Sequence, residues 1–157
     1  INIMELVVKK HPLTQLYIYG EGGERNSLER LISEKKLNNN VFLPGYTENI
    51  ADELNDSILY LSTSKMEGFP LSFLESLNHG VPIFSYDIKY GPSALIENGA
   101  NGVVVEKDDI VNAANAMTLL LDDRKKLRDM SEEAYKSSTL YEMKNVAEIW
   151  KKELEKL

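Results

Sequence analysis

Short apolar segments alternate with segments of helical periodicity along most of the chain. The apolar runs, each of strand length, cover residues 16–19, 41–43, 58–62, 81–85 and 102–105. Helical spacing of apolar residues fills most of the gaps, over 1–10, 25–37, 48–54 and 71–79. Five such strands separated by helices are typical of a parallel sheet with helices on both faces. With right-handed crossovers, the alternation predicts an α/β fold, a Rossmann-like doubly wound parallel sheet.

The chain is predicted to be helical from Asp108 onward. Helices are expected at 110–121, at 123–137 and over a last segment marked by Val146, Ile149, Trp150, Glu153 and Leu157. Trp150 on such an apolar stripe is most often a core residue. The charged stretch 122–133 is most simply a solvated helical face.

Composition limits the classes of function. The chain has 157 residues, enough for one domain, and a net charge of -7, which argues against a general nucleic-acid binder. The absence of cysteine excludes disulfides and thiolate metal sites. No apolar run approaches the roughly 20 residues that span a bilayer, so no transmembrane segment is expected in this chain. The chain opens at Ile1 within a helical pattern, and we interpret residues 1–157 as one excised domain.

Four loops are predicted to form the binding edge, because ligands of such sheets lie beyond the carboxyl ends of the strands. They are Gly20–Glu24, Pro44–Thr47, Ser62–Pro70 and Tyr86–Pro92, and they are rich in Gly, Pro and polar residues.

The strongest motif runs from Glu67 to Glu75, where a strand has ended and a helix is expected to begin. Pro70 suits the first helical turn, which leaves the N–H groups of Gly68, Phe69 and Leu71 able to point at an anion. A carboxylate accepts hydrogen bonds from two vicinal hydroxyls at once, as in a ribose diol. The alternative is that Glu67 only caps the loop and Glu75 is a solvated helix residue.

With the following Gly80-Val81-Pro82-Ile83, this motif resembles the signature of family 4 retaining glycosyltransferases, which have the two-domain GT-B fold. The resemblance extends to Tyr19-Gly20-Glu21-Gly22, to Val41–Tyr46 and to Gly91–Gly102, in the expected order. The chain then corresponds to one half of a GT-B fold, the nucleotide-sugar-binding half.

The resemblance implies a role for each matched residue. Glu67 contacts the donor sugar and helps to orient it at the reacting carbon, as a catalytic residue. The sugar and the diphosphate are expected to be bound by Gly68, Phe69 and Leu71, and the diphosphate also by Gly20 and Gly22. The ribose is expected to be bound by Glu75, and the base by Gly45 and Tyr46.

The resemblance also implies transfer of a sugar from a nucleotide diphosphate, expected to be UDP, to an acceptor hydroxyl, without a metal or another cofactor. Surface polysaccharide or glycan synthesis, a cytoplasmic or inner-leaflet location and a missing acceptor domain near the last helix are expected. The alternative for Trp150 is therefore that part of its apolar stripe is exposed in this chain, where the missing domain would pack. The resemblance places the family's Arg and Lys diphosphate clamp before Ile1, and Lys65 and Lys89 are more simply solvated lysines. A non-catalytic nucleotide-sugar-binding module and a sugar-nucleotide epimerase of related fold stay open as alternatives.

Other candidate sites are weaker. Gly20-Glu21-Gly22-Gly23 matches the NAD-binding fingerprint poorly, because the third glycine is misplaced. His11 precedes a proline and His79 ends a helix, and neither has partners at metal-ligand spacing.

Overall fold

The secondary structure alternates between helices and strands, as the sequence pattern predicts. A computed structural model describes residues 1–156, so Leu157, predicted to end the last helix, lies outside the described residues. The strands are β1 (Leu16–Tyr19), β2 (Val41–Gly45), β3 (Tyr60–Ser62), β4 (Ile83–Tyr86) and β5 (Gly102–Val105). The helices are α1 (Asn2–Val7), α2 (Arg25–Glu34), α3 (Ile50–Asn55), α4 (Leu71–Asn78), α5 (Pro92–Leu95), α6 (Ile110–Asp122), α7 (Arg124–Ser138) and α8 (Met143–Leu154), with a 3₁₀ turn at Thr139–Tyr141.

The chain divides into two compact units, each with its own parallel sheet. Unit 1 comprises Ile1–Ile50 and Asp108–Asp122, and unit 2 comprises Ala51–Lys107 and Asp123–Leu157. In unit 1, β1 pairs with β2, and in unit 2 the strand order is β3-β4-β5, with every pair parallel.

The core of unit 1 includes the packing of α1 against α6. Ile3, Met4 and Val7 on α1 are buried, as are Ala113 and Met117 on α6.

The core of unit 2 lies between α4, α7 and the three-stranded sheet. Its cluster of buried residues is Phe73, Leu77, Ile83, Leu95, Ile96 and Ala134. Ser76 is also fully buried, and its hydroxyl donates to the Val81 carbonyl at 2.8 Å, which ties the end of α4 to the approach of β4. This core fixes α4, the helix that follows the Glu67 loop.

Strand β2 does not end at Pro44-Gly45 as predicted. The register advances by two residues on β1, from Tyr17 to Tyr19, while it advances by three on β2, from Phe42 to Gly45. A bulge of this kind absorbs a proline, whose missing N–H would otherwise break the ladder. The strand therefore continues through Pro44 to Gly45.

Helix α2 ends at Glu34 rather than at residue 37 as predicted, because Lys36 adopts a positive φ of 57°. The N–H of Leu37 then donates back to the Ile32 carbonyl at 2.9 Å, in the pattern of a Schellman cap. Leu37 is buried at this cap, after the helix has ended.

The remaining differences are at element ends and in short helices. Helix α1 ends at Val7 rather than residue 10, α3 is shifted to 50–55, and α8 begins at Met143 rather than near 146. Strands β3 and β4 begin two residues later than predicted, where the Tyr60 N–H donates to the Pro82 carbonyl. The four-residue α5 and the 3₁₀ turn were not predicted.

Candidate functional site

The loop between β3 and α4 carries the predicted sugar-binding residues, all in unit 2. Pro70 is the residue before α4 and not part of its first turn as predicted, since it has an extended backbone with φ -76° and ψ 96°. Its carbonyl accepts from the Phe73 N–H at 3.0 Å, and no side chain caps the helix. The N–H groups of the first turn have no acceptor within a helix, so those of Leu71 and Ser72 suit an anion.

Glu67 and Glu75 differ in burial but share one property. Glu67 is half-buried on the loop, while Glu75 is exposed on α4, about 6 Å along the helix axis from Leu71 at about 1.5 Å per residue. Within residues 1–156, neither carboxylate has a hydrogen-bonding partner or an ion pair. Both are therefore available to a ligand.

Phe69 is half exposed, and its ring is held by an aromatic neighbour. Its ring centroid lies 6.1 Å from that of Tyr141, whose hydroxyl donates to the Ala94 carbonyl at 2.8 Å. Gly68 has open space where a side chain would be, since no atom lies within 4 Å of an added Cβ. The backbone of Gly68 is thus open to close approach by a ligand.

The ends of β1 and β2 bring together the predicted nucleotide-binding residues of unit 1. The N–H of Gly20 donates to the Gly45 carbonyl at 2.8 Å, and both glycines have positive φ, of 118° and 91°. Tyr46, which follows Gly45, is 77% exposed. This geometry leaves the Tyr46 ring free to stack on a planar ligand.

A cleft of about 220 Å³ lies beside these strand ends. Its lining includes two of the predicted glycines, and consists of Ile18, Tyr19, Gly20, Glu21, Gly22, Glu24, Arg25, Leu28 and Leu43. A Cβ added at Gly20 or Gly22 would meet no atom within 4 Å. At Gly20 and Gly22, a ligand in the cleft could therefore lie directly against the backbone.

Arg25 is a residue of this region that our sequence analysis missed. Its guanidinium donates to the Glu21 carboxylate at 2.8 Å, to the Glu29 carboxylate at 3.0 Å and to the Leu43 carbonyl at 2.8 Å. Both carboxylates lie four residues from Arg25, a spacing that the sequence displays. Glu29 follows Arg25 on α2, where this spacing places two side chains on one helix face, whereas Glu21 lies on the loop before the helix. The bond to Leu43 links α2 to the end of β2, just before Gly45 and Tyr46.

The histidines have local partners. His11 Nε2 lies 3.3 Å from Asp122 Oδ1 in unit 1, and His79 Nδ1 lies 2.8 Å from Asn55 Oδ1 in unit 2. In the described part of the chain, no group of three or more His, Cys, Asp or Glu residues is arranged to hold a metal ion. Lys89 lies with its Nζ 5.1 Å from the centroid of the Tyr90 ring.

Helix α8 has no buried residue among those described, which makes the core interpretation of Trp150 wrong. Its large apolar side chains are at least one-third exposed, including Trp150 at 64%, and are Met143, Val146, Ile149, Trp150 and Leu154. No helix within residues 1–156 has both the length and the apolar character required to cross a membrane.

The predicted site residues thus form two sets, one in each unit. Unit 1 holds Gly20, Gly22, Gly45 and Tyr46, and unit 2 holds Glu67, Gly68, Phe69, Leu71 and Glu75. The roles given to these residues stay predictions.

Comparison with protein families decides the assignment. Residues 1–137 match the family model described as glycosyl transferases group 1. The chain belongs to this family. It is also 39% identical over 150 residues to the poly(glycerol-phosphate) alpha-glucosyltransferase of Bacillus subtilis strain 168, which covers 96% of this chain and 22% of that protein.

Two solved structures are similar to the group 1 chain. A mutant of S. aureus TarM, in complex with Fondaparinux, alpha-GlcNAc-glycerol and UDP, is 35% identical with a TM-score of 0.88, over 98% of this chain and 31% of that one. The pneumococcal O-GlcNAc transferase GtfA, in complex with UDP and GlcNAc, is 26% identical with a TM-score of 0.86, over 99% and 32%. This chain thus spans less than a third of each of these relatives.

These neighbours confirm the predicted fold class. The chain is α/β, with parallel sheets and helices on both faces, and corresponds to one half of a GT-B fold.

Proposed function

We propose that this chain is the C-terminal, donor-binding domain of a retaining family 4 glycosyltransferase, with residues 1–157 acting as a single domain. The full protein transfers a sugar from a UDP-sugar to an acceptor hydroxyl. The observation that carries the proposal is a pair of carboxylates without a partner in residues 1–156, Glu67 and Glu75, on either side of the start of α4 in a group 1 chain. UDP is supported by both structural neighbours, which were solved in complex with it.

In this proposal the loop of unit 2 acts on the sugar and the leaving diphosphate. Glu67 is the catalytic residue, since it contacts the sugar and favours the positive charge that develops on the ring. The N–H groups of Gly68, Phe69 and Leu71 donate to the sugar and the diphosphate. Fixed donors of this kind stabilise charge that develops in the transition state, and removing one costs about 3–4 kcal/mol in other enzymes.

The nucleotide is held by the remaining residues. Glu75, exposed on α4, accepts hydrogen bonds from the ribose hydroxyls. Gly20 and Gly22 admit the diphosphate close to the backbone, which their open Cβ positions favour. Gly45 and the exposed Tyr46 lie against the base.

The partners of the full protein follow from the same proposal. An acceptor-binding N-terminal domain packs near α8, whose exposed apolar side chains favour such a contact. The acceptor belongs to a surface polysaccharide or another glycan, and the reaction takes place in the cytoplasm or at the inner leaflet. A polymeric acceptor is supported by the Bacillus subtilis relative, which is named for its action on poly(glycerol-phosphate). No metal is required, because backbone N–H groups and basic residues of the full protein balance the diphosphate.

A thermal-shift screen tests the proposal with UDP, GDP, ADP and UDP-glucose, each with and without EDTA. A ligand present at 100 times its Kd stabilises the folded state by about 2.7 kcal/mol, so UDP and UDP-glucose are expected to raise Tm while ADP has little effect. Equal stabilisation by all three nucleotides would contradict the UDP assignment. A shift that EDTA abolishes and Mg²⁺ restores would contradict metal-independent binding.

A further inference from the structure

Gly91 packs closely against the loop that carries Glu67. It is buried between β4 and α5, with φ 95° and ψ -72°. A Cβ added to Gly91 would lie 2.8 Å from the Glu67 Cβ, 3.3 Å from the Pro70 Cδ and 3.6 Å from the Gly68 carbonyl oxygen. Real Cβ atoms essentially never approach another heavy atom within 3.0 Å, so any side chain here displaces the loop.

The same segment also supports the loop through Phe69. Tyr141 packs against the Phe69 ring, and its hydroxyl donates to the Ala94 carbonyl, while the Ala94 N–H donates to the Gly91 carbonyl at 3.1 Å. Residues 91–94 therefore support the loop at two positions. They contact Glu67 directly, and they support Phe69 through Tyr141.

Gly91 contacts Glu67, the residue that is proposed to contact the donor sugar. The Glu67 carboxylate has no partner within residues 1–156, so its location is determined by the backbone and Cβ of Glu67. That Cβ is the atom nearest to the space that Gly91 leaves empty.

We propose that Gly91 is a positioning residue, whose missing side chain lets the 67–70 loop lie where Glu67 reaches the sugar of the donor. The sugar part of this inference rests on the proposed function, whereas the packing part does not. Gly91 itself touches no substrate and acts through Glu67.

The test compares Gly91→Ala with Gly99→Ala in the full chain. Gly99 also has a positive φ, of 87°, but an added Cβ there would meet no atom within 4 Å. Amide NMR spectra are expected to show displaced signals at residues 67–70 in Gly91→Ala and unchanged ones in Gly99→Ala. Binding of UDP-glucose by Gly91→Ala is expected to fall about tenfold or more, as when a charge-assisted hydrogen bond is lost, and by a larger factor than binding of UDP, which lacks the sugar.

A second background keeps the test valid if Gly91→Ala folds poorly. Glu67→Gly removes the Cβ that the new alanine would meet, so Gly91→Ala is expected to lower Tm less in the Glu67→Gly chain than in the parent. An equal loss of Tm in both backgrounds would show that backbone strain, and not the contact with Glu67, causes the effect, and would overturn the proposal.

The outcomes separate this inference from the proposed function. Unmoved amides at residues 67–70, or moved amides with unchanged UDP-glucose binding, would overturn the role of Gly91. If the parent chain binds no UDP-sugar, the proposed function fails, and the positioning of the loop is then decided by the amide shifts and the Tm cycle alone.

Discussion

The two strand-end regions of the chain use their charged groups in opposite ways. In unit 1, the Glu21 carboxylate is paired with Arg25, whose guanidinium also holds Glu29 and the Leu43 carbonyl. In unit 2, the carboxylates of Glu67 and Glu75 have no partner within the described residues. The loop of Glu67 is set by packing against Gly91 instead.

This difference in pairing distinguishes charged groups that stabilise the fold from charged groups that are available to bind a ligand. A charged group that is paired within the protein stabilises the fold, so its removal lowers the free energy of unfolding. A charged group without a partner adds little to stability, so its removal mainly lowers the affinity for a ligand. Substitutions of the paired charges around Arg25 are therefore expected to change mainly stability, and substitutions of Glu67 and Glu75 mainly affinity.

The largest effect on stability is expected for Gly45→Ala. Gly45 has φ 91°, and an added Cβ would lie 2.5 Å from the Glu21 Oε1, so the alanine is strained and also disturbs the Glu21–Arg25 pair. Strained backbone of this kind costs about 1–3 kcal/mol, measurable by urea unfolding. Gly68→Ala is the control, since its Cβ has open space and its φ is not positive. Equal losses for the two variants would contradict the contrast between the regions.

Arg25→Ala is expected to have an intermediate effect. It removes the hydrogen bond to the Leu43 carbonyl and two ion pairs that are about half exposed, and we expect a loss of about 1–2 kcal/mol on unfolding. Arg30→Ala, on the same helix, is the matched control, because among the described residues Arg30 donates only to the Asn26 carbonyl of α2, at 3.3 Å. Indistinguishable urea midpoints for the two variants would show that Arg25 does not hold the end of β2.

The smallest effect is expected at the Glu5–Lys35 pair of unit 1, where Nζ lies 2.6 Å from the Glu5 carboxylate. The hydrogen bond from Lys35 holds the pKa of Glu5 below its ordinary value of 4.5, outweighing partial desolvation, which raises it. The pair therefore stabilises the fold above the unfolded pKa of Glu5, and this contribution is lost as the pH falls through the folded pKa.

Lys35→Met tests this pH dependence against the exposed control Lys10→Met. Urea unfolding is expected to show Lys35→Met slightly less stable than the parent at pH 7, with the gap closing below pH 4.5. A gap that stays constant as the pH falls would contradict a role for the Glu5 charge.

Much of the fold could be predicted because its signals are local. The apolar runs at 16–19 and 102–105 match β1 and β5, and the glycine at position 80 correctly marks the end of α4. The errors occur where longer-range contacts prevail. Pro44 stays in β2 because pairing with β1 continues beyond it, and α2 stops early because Leu37 is buried by a reversed turn at Lys36.

The candidate site divides in the same way. The glycines at the strand ends could be found from the sequence, and Gly20 and Gly45 are indeed hydrogen-bonded to each other. Gly91 and Glu67 are far apart in sequence, so their contact could not be predicted from a local sequence pattern. Arg25 had a visible spacing to Glu21 and Glu29, but its bond to Leu43 depends on the fold.

Glu67 and Glu75 are proposed to serve different parts of one donor, and calorimetric titration of UDP and UDP-glucose measures the two roles separately. Glu75→Ala is expected to weaken both ligands by similar factors, since both carry the ribose, at a cost of about 1.5–3 kcal/mol. Glu67→Ala is expected to weaken UDP-glucose alone, and Glu132→Ala, at an exposed position on α7, neither ligand. A folded Glu75→Ala chain that binds UDP as tightly as the parent would contradict the account.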